Sequence, residues 1–161
     1  IARFDRGTIE IRVVDVQECP RADLAIVGLI VHAVRSLAEE RWSSGALQRA
    51  LATESLHEVL MSCIAKGEDA LLAHGELLEV LGLGRGTRTA GSVWRAIAER
   101  GAAQGAWWGG DAVALTREGT LSSRILRAVG EPVDRSGLMR VYRELARCAA
   151  DNTMFDVRAG G

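Results

Sequence analysis

The sequence is short of cysteine, of lysine and of long apolar runs, and each shortage excludes something. Its three cysteines, Cys19, Cys63 and Cys148, are odd in number and far apart. No CxxC pair or Cys/His cluster accompanies them, so neither a disulfide framework nor a zinc site is indicated. A reducing, cytoplasmic compartment is the expectation. Lys66 is the only lysine, and arginine carries nearly all the positive charge. The formal net charge of -1 advertises neither a nucleic-acid partner nor an anionic membrane. The longest apolar run, Leu24 to Val31, falls well short of the roughly 20 residues a bilayer-spanning helix needs. It also follows acidic residues and a proline, unlike a signal peptide.

What is there suits a folded domain. The chain has 161 residues, 48% hydrophobic and 25% charged, enough to bury a core and too apolar for disorder. It opens Ile1-Ala2-Arg3-Phe4 and runs at once into a strand pattern, as expected of a piece cut from a longer protein.

In Thr8-Ile9-Glu10-Ile11-Arg12-Val13-Val14 the β-branched content and alternation predict a strand over about 7–15. Ile9, Ile11 and Val13 share one face; Thr8, Glu10, Arg12 and Val14 share the other. Pro20 suits the first turn of a helix running to about Trp42. Its stretch Leu24–Val34 is apolar nearly all round, which predicts burial between other elements. Helices are expected at about Gly45–Ala65 and Glu68–Leu81, with Gly82 as the stop and a loop to Arg88. Thr89 caps a helix bearing Val93, Trp94 and Ile97. Gly105–Ala114 reads as irregular. Two last helices follow, one marked by Leu121, Ile125 and Val129, the other capped by Asp134 and carrying Leu138, Val141, Tyr142, Leu145 and Ala149. The tail after Asn152 fades into Gly160-Gly161. The expectation is a predominantly α chain of one strand and about six helices, forming a single helical region. A lone strand cannot satisfy its own backbone groups, so it needs partners from outside the chain or from a second copy.

Glu10-Ile11-Arg12 is the sharpest chemical feature. Residues i and i+2 of a strand project from one face about 7 Å apart. A carboxylate there can ligate Mg²⁺, and a guanidinium can hold a phosphoryl group bidentately. From spacing alone, an exposed ion pair is the commoner outcome. Asp15 ends the strand and suits orientation of Arg12 or capping of the next helix, the structural role being favoured. His32 lies in an apolar helix, where a hydrogen-bonded core residue is commoner than a ligand. His57 and His74 are isolated. Gly82-Leu83-Gly84-Arg85-Gly86 lacks the lysine and preceding strand of a phosphate loop. Trp107-Trp108 reads as packing, Cys63 and Cys148 as small buried hydrophobes, and Cys19 lacks an activating base.

The wider string Gly7-Thr8-Ile9-Glu10-Ile11-Arg12-Val13-Val14-Asp15, then Cys19-Pro20 and an apolar helix, resembles the glutamate–cysteine ligase family, in particular its bacterial YbdK-like carboxylate–amine ligase branch. It is also similar to a glutamine-synthetase segment in which an Arg-x-Glu-x-Arg strand leads through Asp and Pro into a helix; Thr8 replaces the first arginine. Thr89-Ala90-Gly91-Ser92-Val93-Trp94-Arg95, Gly119-Thr120-Leu121-Ser122-Ser123-Arg124-Ile125, Val141-Tyr142-Arg143-Glu144-Leu145 and Asn152-Thr153-Met154-Phe155 extend the resemblance to most of the chain. It implies the C-terminal portion of an α+β glutamine-synthetase-like fold, whose acidic metal-binding strands lie in a missing N-terminal half. It also implies ATP- and Mg²⁺-dependent amide formation through an acyl-phosphate, between glutamate and an amine, with Glu10 as metal ligand and Arg12 on the transferring phosphate. The chain alone is then expected to be inactive and prone to self-association. The alternative is a non-catalytic helical interaction or regulatory module.

Overall fold

The computed structural model describes residues 2–157. Helix makes up 63% and strand 5%, so the class is predominantly α. The N-terminal strands β1 (Ala2–Arg3) and β2 (Thr8–Ile9) form a short antiparallel hairpin. The helices are α1 (Pro20–Ala38), α2 (Gly45–Arg49), α3 (Thr53–Lys66), α4 (Gly75–Val80), α5 (Ala90–Ala103), α6 (Gly109–Glu118), α7 (Leu121–Val129) and α8 (Arg135–Asp151). A 3-10 turn, Gly67–Asp69, follows α3, and strands β3 (Leu71–Leu72) and β4 (Arg88–Thr89) pair antiparallel on either side of α4.

Several predicted boundaries hold for the predicted reasons. Pro20 occupies the first turn of α1, where its missing N–H costs nothing. The Thr89 hydroxyl accepts from the Ser92 amide at 3.1 Å, and Asp134 accepts from the Gly137 amide at 2.7 Å. Gly82 follows α4 with φ +67°, a conformation in which a β-carbon is penalised.

Other expectations fail. The helix predicted over Gly45–Ala65 breaks at Ala50–Ala52, although no proline or glycine stands there. The break leaves Gln48 on α2, where its amide donates to the carbonyls of Leu37 and Ser43 at 2.8 and 3.1 Å. The helix expected at Glu68–Leu81 begins instead as the 3-10 turn and β3. Ala70 and Leu72 are buried there, and Ala70 accepts from the Ala90 amide at 2.9 Å. Burial and strand pairing outweigh helix propensity at this point.

Gly105–Ala114 was expected to be irregular, but from Gly109 onward it belongs to α6. Gly109 and Gly110 are poor helix formers, but α6 packs along α5 with Ala112 and Leu115 buried. A β-carbon on Gly109 would lie 2.5 Å from the Ala102 Cα. The glycine that weakens the local signal is therefore what allows the two helices to approach.

The main core joins α1, α5 and α6 with Leu72 and Leu78, and Trp108 is its largest buried side chain. Trp107 is 74% exposed and Trp108 only 7%, so one indole packs as expected and the other faces solvent. α1 is not buried on all sides: Leu24, Val27 and Val31 form an exposed stripe opposite Ala22, Ala25, Leu29 and Ala33. Leu56, Leu60, Met61 and Ile64 are likewise exposed on α3. A second core of Val141, Cys148 and Phe155 lies between α7, α8 and the tail. The tail therefore does not fade at Asn152; the predicted Gly160-Gly161 end lies outside the described residues. Among the described residues no helix is long and apolar enough to cross a membrane.

Trp108 passes between two glycines. A β-carbon on Gly28 would sit 2.4 Å from the indole, and one on Gly101 would sit 2.2 Å from it. Neither clash has a flexible end to move. Gly28→Ala and Gly101→Ala are each expected to cost about 1–3 kcal/mol by overpacking in urea unfolding. Gly110→Ala, with nothing within 4 Å of the added carbon, is expected to stabilise by about 0.5 kcal/mol.

Candidate functional site

Strand pairing stops at Ile9. Residues 10–17 form no ladder with any described residue, so the strand predicted over about 7–15 is realised only at Thr8–Ile9. The partner it needed is supplied at those two residues by Ala2–Arg3. Phe4, Ile9, Ile11, Val13, Val14 and Val16 are all exposed, although alternating β-branched residues are ordinarily half-buried in a sheet.

The structure does bring Glu10 and Arg12 together. Arg12 Nε lies 2.9 Å from Glu10 Oε1, and Nη2 donates to Oε2 at 3.0 Å. This is a bidentate pair in the fork geometry that guanidinium offers to any planar oxyanion. Both side chains are open to solvent, at 61% for Arg12 and 38% for Glu10. Asp15 joins neither of its expected partners: its carboxylate accepts from the Val16 amide at 2.8 Å. It caps the chain locally, while Asp23, one turn into α1, accepts from the Gln17 amide at 2.9 Å.

Mg²⁺ requires near-octahedral oxygen coordination, with carboxylates completed by water and phosphate. No group of three His, Cys, Asp or Glu side chains converges among the described residues. The described residues therefore do not compose a Mg²⁺ site by themselves.

The remaining predicted candidates are structural or separate. His32 lies against Trp42 and Trp108, with ring centroids 5.6 and 5.5 Å away. Its Nε2 is buried without a protein partner among the described residues, which corrects the expected hydrogen-bonded role. Burial, with Arg41 and Arg100 nearby, pushes its pKa down. His74 lines a groove of about 280 Å³ with Ser55, Leu56, Val59 and Leu77. Cys148 is buried, as expected, and Cys63 is half-buried. Cys19, which lacked an activating base, is buried.

A larger polar feature is absent from the expectations. Immediately before α1, Glu18 receives two charge-assisted hydrogen bonds from Arg124 of α7, at 2.6 and 3.0 Å. Glu18 Oε1 also accepts from the Phe155 amide at 3.2 Å. The two side chains are 0% and 2% exposed. Burial alone would raise the Glu18 pKa, but Arg124 and the backbone donors outweigh it and hold the carboxyl below its ordinary range. One signal was legible: Arg124 lies within the apolar face formed by Leu121, Ile125 and Ala128, where an unpaired charge is intolerable. Its partner, 106 residues away, was not.

No protein-family model matches the chain, and neither does any curated protein or solved structure. The site must be read from its own chemistry.

The buried pair generates a signed pH dependence. Glu18 has a lowered folded-state pKa, so its contribution is present above the unfolded carboxylate value of 4.5 and is lost as pH falls through the folded value. Arg124→Ala strands the carboxylate and is expected to cost about 3–5 kcal/mol near neutral pH. The deficit should shrink toward pH ~4, where a buried Glu18 without its partner takes up a proton. Urea midpoints of both proteins across that range measure it; a deficit independent of pH would show that packing, not charge, is what Arg124 supplies.

Proposed function

We propose that this chain is the C-terminal portion of an ATP-dependent carboxylate–amine ligase of the glutamate–cysteine ligase type. In this reading it contributes one wall of the active site and is inactive alone. The observation that carries the reading is the paired Glu10 and Arg12 on a segment whose apolar residues lack cover. Its alternation suits a strand of a larger sheet, with Ile9, Ile11 and Val13 toward the core and Glu10 and Arg12 on the opposite face. The order of the motifs along most of the chain points the same way, toward a glutamine-synthetase-like parent.

The reaction requires ATP to phosphorylate a carboxylate, the γ-carboxylate of glutamate in the family resembled, and an amine to displace phosphate with formation of the amide. Arg12 has the geometry to grip phosphoryl oxygens, because its fork already accommodates the two oxygens of Glu10. In this role it orients the transferring group and offsets the charge that develops on it. Glu10 offers a hard anionic oxygen as one ligand of Mg²⁺, the other ligands coming from outside these residues. Asp15 supports the segment through its turn with Val16. A cytoplasmic location follows from the ATP requirement and the free thiols.

A second reading, a non-catalytic interaction or regulatory module, is favoured by the exposed stripes on α1 and α3, which suit another chain or a second copy. The two readings separate in one experiment. The full-length gene product is assayed for phosphate release from ATP that depends on both glutamate and an amine. Glu10→Ala and Arg12→Ala are each expected to abolish nearly all of it. Because the pair is exposed, each should change stability by less than about 0.5 kcal/mol. Near-normal turnover in either variant overturns the site assignment, and no ATP-dependent amide formation by the parent favours the module.

A further inference from the structure

The second core, between α7, α8 and the tail, is distinct from the core of α1, α5 and α6. Where the two bodies meet, polar groups recur. Glu18, from the α1 side, is held by Arg124 and the Phe155 amide. The side-chain oxygen Oδ1 of Asn152, at the end of α8, accepts from the Arg21 amide at 2.8 Å. Glu68, on the 3-10 turn, reaches the N-terminal end of α7. There burial raises the pKa of its carboxyl, but Ser123 and Thr120 outweigh that and hold it below the ordinary carboxylate range. Two glycines make room for Glu68: a β-carbon on Gly119 would lie 2.7 Å from its Oε1, and one on Gly91 would lie 3.1 Å from its Cβ. Met154 of the tail adds apolar contact with the first core.

We propose that α7 and α8 form a separately opening unit, latched onto the α1–α6 body by the carboxylates of Glu18 and Glu68. Once detached from the body, a hairpin whose buried core is Val141, Cys148 and Phe155 frays, so its amides become open to exchange. A polar latch, unlike an apolar one, exchanges its partners for water at modest net cost. Local opening of this kind proceeds in contiguous cooperative units. The charged group facing Glu18 is Arg124; the Cys148 thiol, its pKa raised by burial, lies within electrostatic reach and stays neutral. Near Glu68 the charged group is Arg127, which borders Gly119. Opening would release Glu18, while Gln17 stays tied to Asp23 of α1. The latch stands on its own geometry whether or not the parent is a ligase.

Hydrogen exchange read by mass spectrometry on the whole chain tests it. In Glu18→Gln/Glu68→Gln, amides of Leu121–Asp151 are expected to exchange roughly 10- to 100-fold faster than in the natural sequence, with α1, α5 and α6 unchanged. Equal acceleration in every helix, or none in α7 and α8, overturns the proposal. A measurement on the unaltered chain covers a double variant that fails to fold. In sub-denaturing urea, α7 and α8 should open below the global unfolding free energy, and a single shared opening for all helices overturns the latch.

Discussion

The close passage of Trp108 between Gly28 and Gly101 is the constraint on which the main body depends. One indole fills the space where α1, α5 and α6 meet, and it can do so only because two helices present no side chain at the point of contact. Gly109 brings α6 against Ala102 by the same device. Helices that approach at glycine and alanine gain close van der Waals contact and leave little room for adjustment. His32 and Trp42 extend this aromatic cluster, and Arg100 lies 5.3 Å above the Trp42 ring.

The buried Glu18–Arg124 pair supplies a different kind of connection. It crosses from the residue pair preceding α1 to α7, and the Phe155 amide adds the C-terminal tail to the same carboxylate. Desolvating two charges is unfavourable, so such a pair is weak evidence of net stabilisation. Its physical consequence is specificity: few other arrangements satisfy both charges, so α7 and the tail acquire one seat on the body. The exposed Glu10–Arg12 pair contrasts with it. The same fork geometry in solvent contributes little to folding.

Some of this was legible in the residues. Thr89 and Asp134 announce helix starts because a short side-chain oxygen before an apolar repeat has a defined local use. Gly82 and Pro20 announce an end and a start through backbone geometry alone. The Glu10–Arg12 pairing was also foreseeable, since neighbours two apart need no distant information. The break at Ala50–Ala52, the pairing of β3 with β4 and the formation of α6 across Gly109-Gly110 were not. The last two depend on partners far along the chain, the Thr89 strand and the face of α5, and the break has no signal in the residues where it falls.

The sequence by itself determined the predominantly α class, the capped helix ends and the chemical types at positions 10 and 12, because these follow from periodicity and local hydrogen bonding. Only the tertiary structure decided which tryptophan is buried, which face of α1 is covered, and that Glu18 and Arg124 share a buried site. Those outcomes rest on packing between distant segments, whose free energy has no local signature in the residues that make it.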